Sequence, residues 1–131
     1  MKISIPISPG ELLDKISILQ IKSERIINES KKTNVYFELR LLEKALVEYE
    51  VEDTICPKIL TELRRELKNV NEKLWVIEDE LRIMETKKDF SSKFVDFARS
   101  VYKYNDQRAS IKRKINDLAG SDLIEEKSYT G

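Results

Sequence analysis

Residues 60–84 carry an apolar seam that only a long, packed helix satisfies. Leu60, Leu63, Leu67, Val70, Leu74, Ile77, Leu81 and Met84 alternate spacings of three and four. That rhythm places all of them on one helical face. The next stretch repeats it with Phe94, Phe97, Val101, Tyr104, Arg108, Ile111, Ile115 and Leu118. Only Arg108 departs from the pattern. A guanidinium does not lose its proton, so a buried one requires an acidic or anionic partner. Whether that partner is a side chain or a ligand separates a scaffold from a binding site.

Two such helices use up nearly half of a 131-residue chain, a length that predicts one domain over residues 1–131. Apolar residues make up 40% and charged residues 37%, with three glycines and three prolines, a composition of helices rather than of a sandwich. The 24 basic and 24 acidic residues cancel, so the clustered basic excess of a nucleic-acid or anionic-membrane binder is missing. No nucleic acid and no membrane is therefore expected as a partner. There is no histidine, which removes imidazole-ligated zinc and Ser-His or Cys-His nucleophile pairs. The single cysteine, Cys56, precedes Pro57 without an activating base and reads as a spectator thiol suited to a reducing cytoplasm. The opening MKISIPIS lacks an apolar core of signal-peptide length, and no run of 18 apolar residues occurs. Cytoplasmic localisation is the expectation.

Ile3, Ile5 and Ile7 alternate with polar residues and predict a short extended or edge-strand segment, with Pro6 barring a central position. Ser8-Pro9-Gly10-Glu11 predicts a helix start, with Ser8 as cap, Pro9 at the first position and Glu11 completing a capping box. The first helix is expected over residues 9–30, with Leu12, Ile16, Leu19, Ile26 and Ile27 on one face and a turn at Lys31–Asn34. A second follows over 35–50 on Val35, Leu39, Leu42, Leu46 and Tyr49. Pro57 opens a third over 57–85, and a fourth runs over 90–118 with Asp89 or Ser91 as cap and Gly120 as stop. At 1.5 Å per residue the last two helices are each about 45 Å long. The architecture predicted is all-α: a four-helix bundle of two antiparallel hairpins, the longer one coiled-coil-like, with a C-terminal tail packed back through Leu123, Ile124 and Tyr129.

Polar residues cluster beside the seams. The first helix has a second face of Glu11, Asp14, Ile18, Ile21, Lys22 and Arg25, whose isoleucines imply that something covers it. Glu11 and Asp14, three apart, would both reach one hard cation such as magnesium. Equally, Glu11 serves the cap and Asp14 the positive end of the helix dipole. On the third helix Asn71, Trp75, Glu78, Arg82 and Glu85 form a polar stripe. It reads either as an exposed Glu78–Arg82 pair beside a core tryptophan or as the wall of a pocket. On the fourth, Arg99, Tyr102, Asn105 and Asp106 step along the side of the strip holding Arg108. Arg108 itself meets either a carboxylate of the first or third helix or the carboxylate or phosphate of a ligand.

The stretches PGELLDKISILQIKSERI, NEKLWVIEDELR, DFSSKFVDFARSVYKYNDQRASIKRKIN and EEKSY together resemble a family of short bacterial and phage proteins of unknown function. That resemblance implies a compact helical protein and no particular activity. The first helix also loosely resembles the opening helix of helical chorismate mutases, where Lys22 and Arg25 would grip substrate carboxylates. The rest of that pattern is not matched. All-helical nucleotide pyrophosphohydrolases hold magnesium with paired acidic motifs. Glu11 and Asp14 are similar to one of these, while Glu78 and Asp79 are adjacent and do not supply the second.

The functional expectation is a pocket between the first, third and fourth helices that binds or transforms a small anionic molecule. Arg108 and Arg82 would anchor the anion, with Arg99, Lys22 and Arg25 as further cations. Trp75, Tyr102, Asn71 and Asn105 would shape the walls, and Glu78, Asp79 and Asp106 would serve as acid/base groups. The alternative is a non-enzymatic protein-interaction module, as a homodimer or with another protein, docking through its hairpin.

Overall fold

The computed structural model describes residues 1–128, and the expected packing of Tyr129 lies outside them. Four α-helices account for most of the chain: α1 (Pro9–Arg25), α2 (Glu29–Glu48), α3 (Pro57–Thr86) and α4 (Ser92–Ala119). No β-strand occurs among the described residues. Ile3 and Ile5 stand exposed, and of the N-terminal isoleucines only Ile7 packs against the core. The four helices pack as a bundle, with α1 against each of the other three and α3 against α4 along their length.

Local chemistry explains the boundaries. The Ser8 hydroxyl accepts the Glu11 amide hydrogen at 3.1 Å, and Pro9 opens α1. That helix ends five residues earlier than its periodicity suggests, because Ile26 is already extended, with φ −75° and ψ 130°. Asn28 then caps α2, its Oδ1 accepting from the Lys31 amide at 3.0 Å. The turn therefore lies at residues 26–28, and Lys31–Asn34 belongs to α2 rather than to a loop. A short polar residue able to bond the backbone two to three residues on outcompetes continued helix at that point. Ile27, expected on the buried face, is 88% exposed in the turn, and Tyr49 at the end of α2 is also exposed. Between α2 and α3 a single 3-10 turn, Val51–Asp53, folds Val51 into the core together with Ile55. The hairpin turn after α3 passes through Lys88 at φ 57°, and Gly120 ends α4 at φ 68°, where a side chain would be strained.

The seam of α3 is buried from Leu60 to Ile77 and again at Met84, with Leu81 half-buried. That of α4 is not its equal. Ile115 is sealed, Phe94, Phe97, Val101, Tyr104 and Ile111 are half-buried, and Leu118 is exposed. The main core joins Leu13, Ile16 and Leu19 of α1 to Leu39 and Leu46 of α2, Leu63 and Leu67 of α3, and Ile115 of α4. The C-terminal tail returns along α4, but through charge rather than apolar packing, since Leu123 and Ile124 are exposed. Glu125 accepts from the Ser8 hydroxyl and from Lys112, each at 3.0 Å. Glu126 pairs with Arg113 at 3.8 Å, and Lys127 with Asp106 at 3.5 Å.

Candidate functional site

At the crossing of α1 with the α3–α4 hairpin the polar residues converge. Asp14 has no exposed side-chain surface. Its carboxylate receives Nε of Arg108 at 2.9 Å on one oxygen and Nη2 on the other, a two-point fork. Asn71 donates to the same Asp14 oxygen at 2.9 Å and to the Ser17 hydroxyl at 2.7 Å, and Ser17 donates to the Asp14 carbonyl at 2.8 Å. Both amide hydrogens of Asn71 are thereby used, which leaves its Oδ1 as the free acceptor of the group. Every buried side-chain donor and acceptor among the described residues has a partner. The fork holds the Arg108 guanidinium above its ordinary value; burial pulls the other way and is outweighed.

One turn along, Lys112 donates to Glu11 and to Glu125. Burial works to lower the Lys112 ammonium, but the hydrogen bonds it donates to Glu11 and Glu125 prevail and its value is raised. Glu11 is thus drawn across to α4 and does not close the capping box back onto Ser8. A further turn along, the Gly10 amide donates to Asn116 Oδ1 at 2.7 Å. A Cβ on Gly10 would stand 2.6 Å from the Lys112 carbonyl oxygen. The two helices approach so closely there that only hydrogen fits. Gly10, Asn116 and Ser17 were not singled out from sequence. Gly10 was hidden inside a helix-start motif, and Asn116 and Ser17 interrupt no pattern of their own.

Beside the Asp14–Arg108 fork opens a cleft of 320 Å³. Arg108, Asn105, Asn71, Trp75, Glu78, Asp79 and Arg82 line it, with Ile18, Ile21 and Leu74 as its apolar side. Four residues of the α3 stripe, Asn71, Trp75, Glu78 and Arg82, border the cleft, with Glu78 and Arg82 forming an exposed pair at 3.5 Å, while Glu85 turns to Lys88 at 3.7 Å. The Arg108 side chain keeps 30% of its surface exposed, and Nη1 makes no hydrogen bond to the described residues. Of the two readings of Arg108, the side-chain ion pair is present, and an opening lies beside it.

Other expected site residues lie elsewhere. Tyr102 is 55% exposed and Arg99 exposed, both outside the cleft, because helical rotation carries them past its edge. Asp106 points to the tail and pairs with Lys127. Lys22 is half-buried on α1 outside the cleft, and Arg25 lines a different groove. Glu11 and Asp14 do not meet over a shared position: each is turned to its own cation on α4. Among the described residues no three acidic or thiol side chains gather as a metal cage.

Fold and site together define a small helical bundle whose first helix is locked to a long hairpin by a buried charge network beside an open polar cleft. The chain belongs to the family of unknown function DUF6165, which matches residues 1–131. No curated protein and no solved structure is similar to it. No helix among the described residues is long and apolar enough to cross a membrane.

Proposed function

We propose that the cleft between α1, α3 and α4 binds a small polar molecule bearing one carboxylate or phosphate group. The observation that carries this reading is the state of Arg108: its fork is immobilised on Asp14 while its outer edge opens on the cleft. A cation fixed in advance loses little freedom on meeting an anion. Arg82 at the opposite rim is held only by an exposed pair with Glu78 and is free to turn toward a ligand. The four lining charges, Arg108, Arg82, Glu78 and Asp79, cancel, and Asp14 behind them brings the group to a net charge of −1. That net negative charge disfavours a polyanion and calls for a ligand with a single anionic group and several hydroxyl or amino donors. Glu78, Asp79 and the Asn71 carbonyl would accept from such donors, and Trp75 would form an apolar wall. Glu78 and Asp79 would be the acid/base groups of any reaction in the cleft, a role for which Asp106, outside the lining and paired with Lys127, is not placed. The lone exposed thiol of Cys56 fits a reducing, cytoplasmic setting.

Trp75 is the only tryptophan, so its emission reports directly on the cleft. Titration with a panel of hydroxy- and amino-carboxylates and sugar monophosphates is expected to shift that emission. A ligand at a hundred times its dissociation constant would add about 2.7 kcal/mol of stability. Arg82→Glu should abolish the response with the fold intact. A panel that leaves both Trp75 emission and melting temperature unchanged refutes the reading.

A second reading, a protein-interaction module or homodimer, draws on apolar side chains left outward on α2, where Tyr36, Phe37 and Val47 are exposed. Sedimentation over a concentration series tests it: a constant monomer mass removes the homodimer.

A further inference from the structure

The opposite side of the α3–α4 hairpin carries a second, wider groove of 490 Å³ that shares no residue with the cleft. One wall is aromatic. Phe97 and Tyr104 stand two helical turns apart on α4 and line it together. Val76 and Ile77 of α3 form the apolar floor, and Arg25 from the last turn of α1 joins Lys73 at one end. The Lys73 ammonium sits 5.4 Å from the centre of the Tyr104 ring. Neither Arg25 nor Lys73 has a carboxylate partner among the described residues. The one acid lining the groove, Glu72, lies 3.9 Å from Lys68, which Glu24 holds more closely at 2.6 Å, so Glu72 offsets part of the groove's positive charge.

Arg25, Lys73 and Glu72 together give the groove a net positive charge beside two half-buried rings. Arg25 gains from the negative end of the α1 dipole, which accounts for its position but not for Lys73 beside it. Both cations and both rings have one chemical complement. Lys73 lies over the Tyr104 ring and Lys93 over the Phe97 ring, the latter at 5.7 Å. An aromatic body would displace these exposed lysines from the rings, and its anionic substituent would meet Arg25 and the released Lys73.

We propose that this groove binds small aromatic anions, a flat ring system carrying one carboxylate, sulfonate or phosphate. The proposal does not depend on the Arg108 cleft being occupied. The probe is 8-anilinonaphthalene-1-sulfonate, with its uncharged parent N-phenyl-1-naphthylamine for comparison. Titrating the full chain with the sulfonate should raise probe emission, and amide shifts in a nitrogen–proton correlation spectrum should centre on Lys73, Val76, Phe97 and Tyr104. The double variant Arg25→Glu/Lys73→Glu should weaken binding at least tenfold, roughly, by charge reversal at the groove end. Arg82→Glu, in the other cleft, should leave the affinity within about twofold. Three results overturn the proposal: equal affinity for the neutral parent, undiminished binding by the double variant, or an equal loss in Arg82→Glu. Should the double variant melt early, the amide map of the unaltered protein decides, and shifts centred on Trp75 or α2 refute the groove.

Discussion

The α3–α4 hairpin is built from one repeating pattern along its whole length, yet its two halves live in different surroundings. In the root, α1 lies across both helices; Leu67 and Ile115 are wholly buried, and Arg108 finds Asp14. In the tip the seam is covered less completely, with Met84 buried but Leu81 only half-buried. Phe94, Phe97 and Val101 are only half-buried, Ile83, Phe90 and Val95 are exposed, and Arg82 meets nothing firmer than an exposed glutamate. The same heptad-like sequence is a core in one half and a partly covered arm in the other. Periodicity reports which face of a helix is apolar, and the number of neighbours decides what that face is worth. Both proposed sites lie where the two halves meet, at the point where side chains are anchored but not yet enclosed.

The contrast is broken most severely at its charged centre. Arg108→Ala leaves a fully buried carboxylate with Asn71 as its only side-chain donor and should cost about 3–5 kcal/mol, whereas Arg82→Ala in the tip should cost less than about 0.5 kcal/mol. Urea denaturation of the two variants measures the difference, and equal losses would mean that the fork contributes nothing special. Apolar truncation sharpens it further. Leu67→Ala should cost about 2–5 kcal/mol as a filled core position empties, and Val101→Ala no more than about 1 kcal/mol because water already reaches that site. If both fall alike, the tip is as tightly packed as the root.

Gly10→Ala probes the closest approach in the root. The added methyl group would press on the Lys112 carbonyl and on Asn116, and pushing α1 away should cost roughly 1–3 kcal/mol. Loss of Trp75 quenching protection in the same variant would show that the cleft widens with it. Lys112 gives the smallest effect, and one with a definite sign. Its pKa is raised in the folded state, so the stabilisation is fully present below the unfolded lysine value and disappears as pH climbs through the higher folded one. The melting-temperature gap between the protein and Lys112→Met should therefore hold steady up to about pH 10 and narrow above it. A gap that closes in acid instead would place the coupling on the carboxylates.

Much of this was legible in residue order. Helix number, the start at Ser8-Pro9, the opening of α3 at Pro57 and the stop at Gly120 follow from short-range rules, as does the polar stripe from Asn71 to Arg82, though not what that stripe faces. These rules act within one or two turns. They failed at Ile26–Asn28, where an asparagine cap competes with an apolar rhythm that runs straight through it. They also failed at the tail, where Leu123 and Ile124 suggested packing and Glu125 supplied it.

Residue order alone established an all-helical chain with two long amphipathic helices and an arginine that, if buried, would need a neutralising partner. It could not name the neutralising group, since Asp14 lies 94 positions away from Arg108 and every acidic residue on a neighbouring helix competes for that role. Tertiary contact chose among them. Gly10 lets α1 come close enough to α4 for Asp14 to reach the guanidinium, and the same crossing leaves Glu78, Asp79 and Trp75 around an opening instead of a sealed core. Helix formation is set by neighbours in the chain, whereas ion pairing and cavities are set by where separate helices cross.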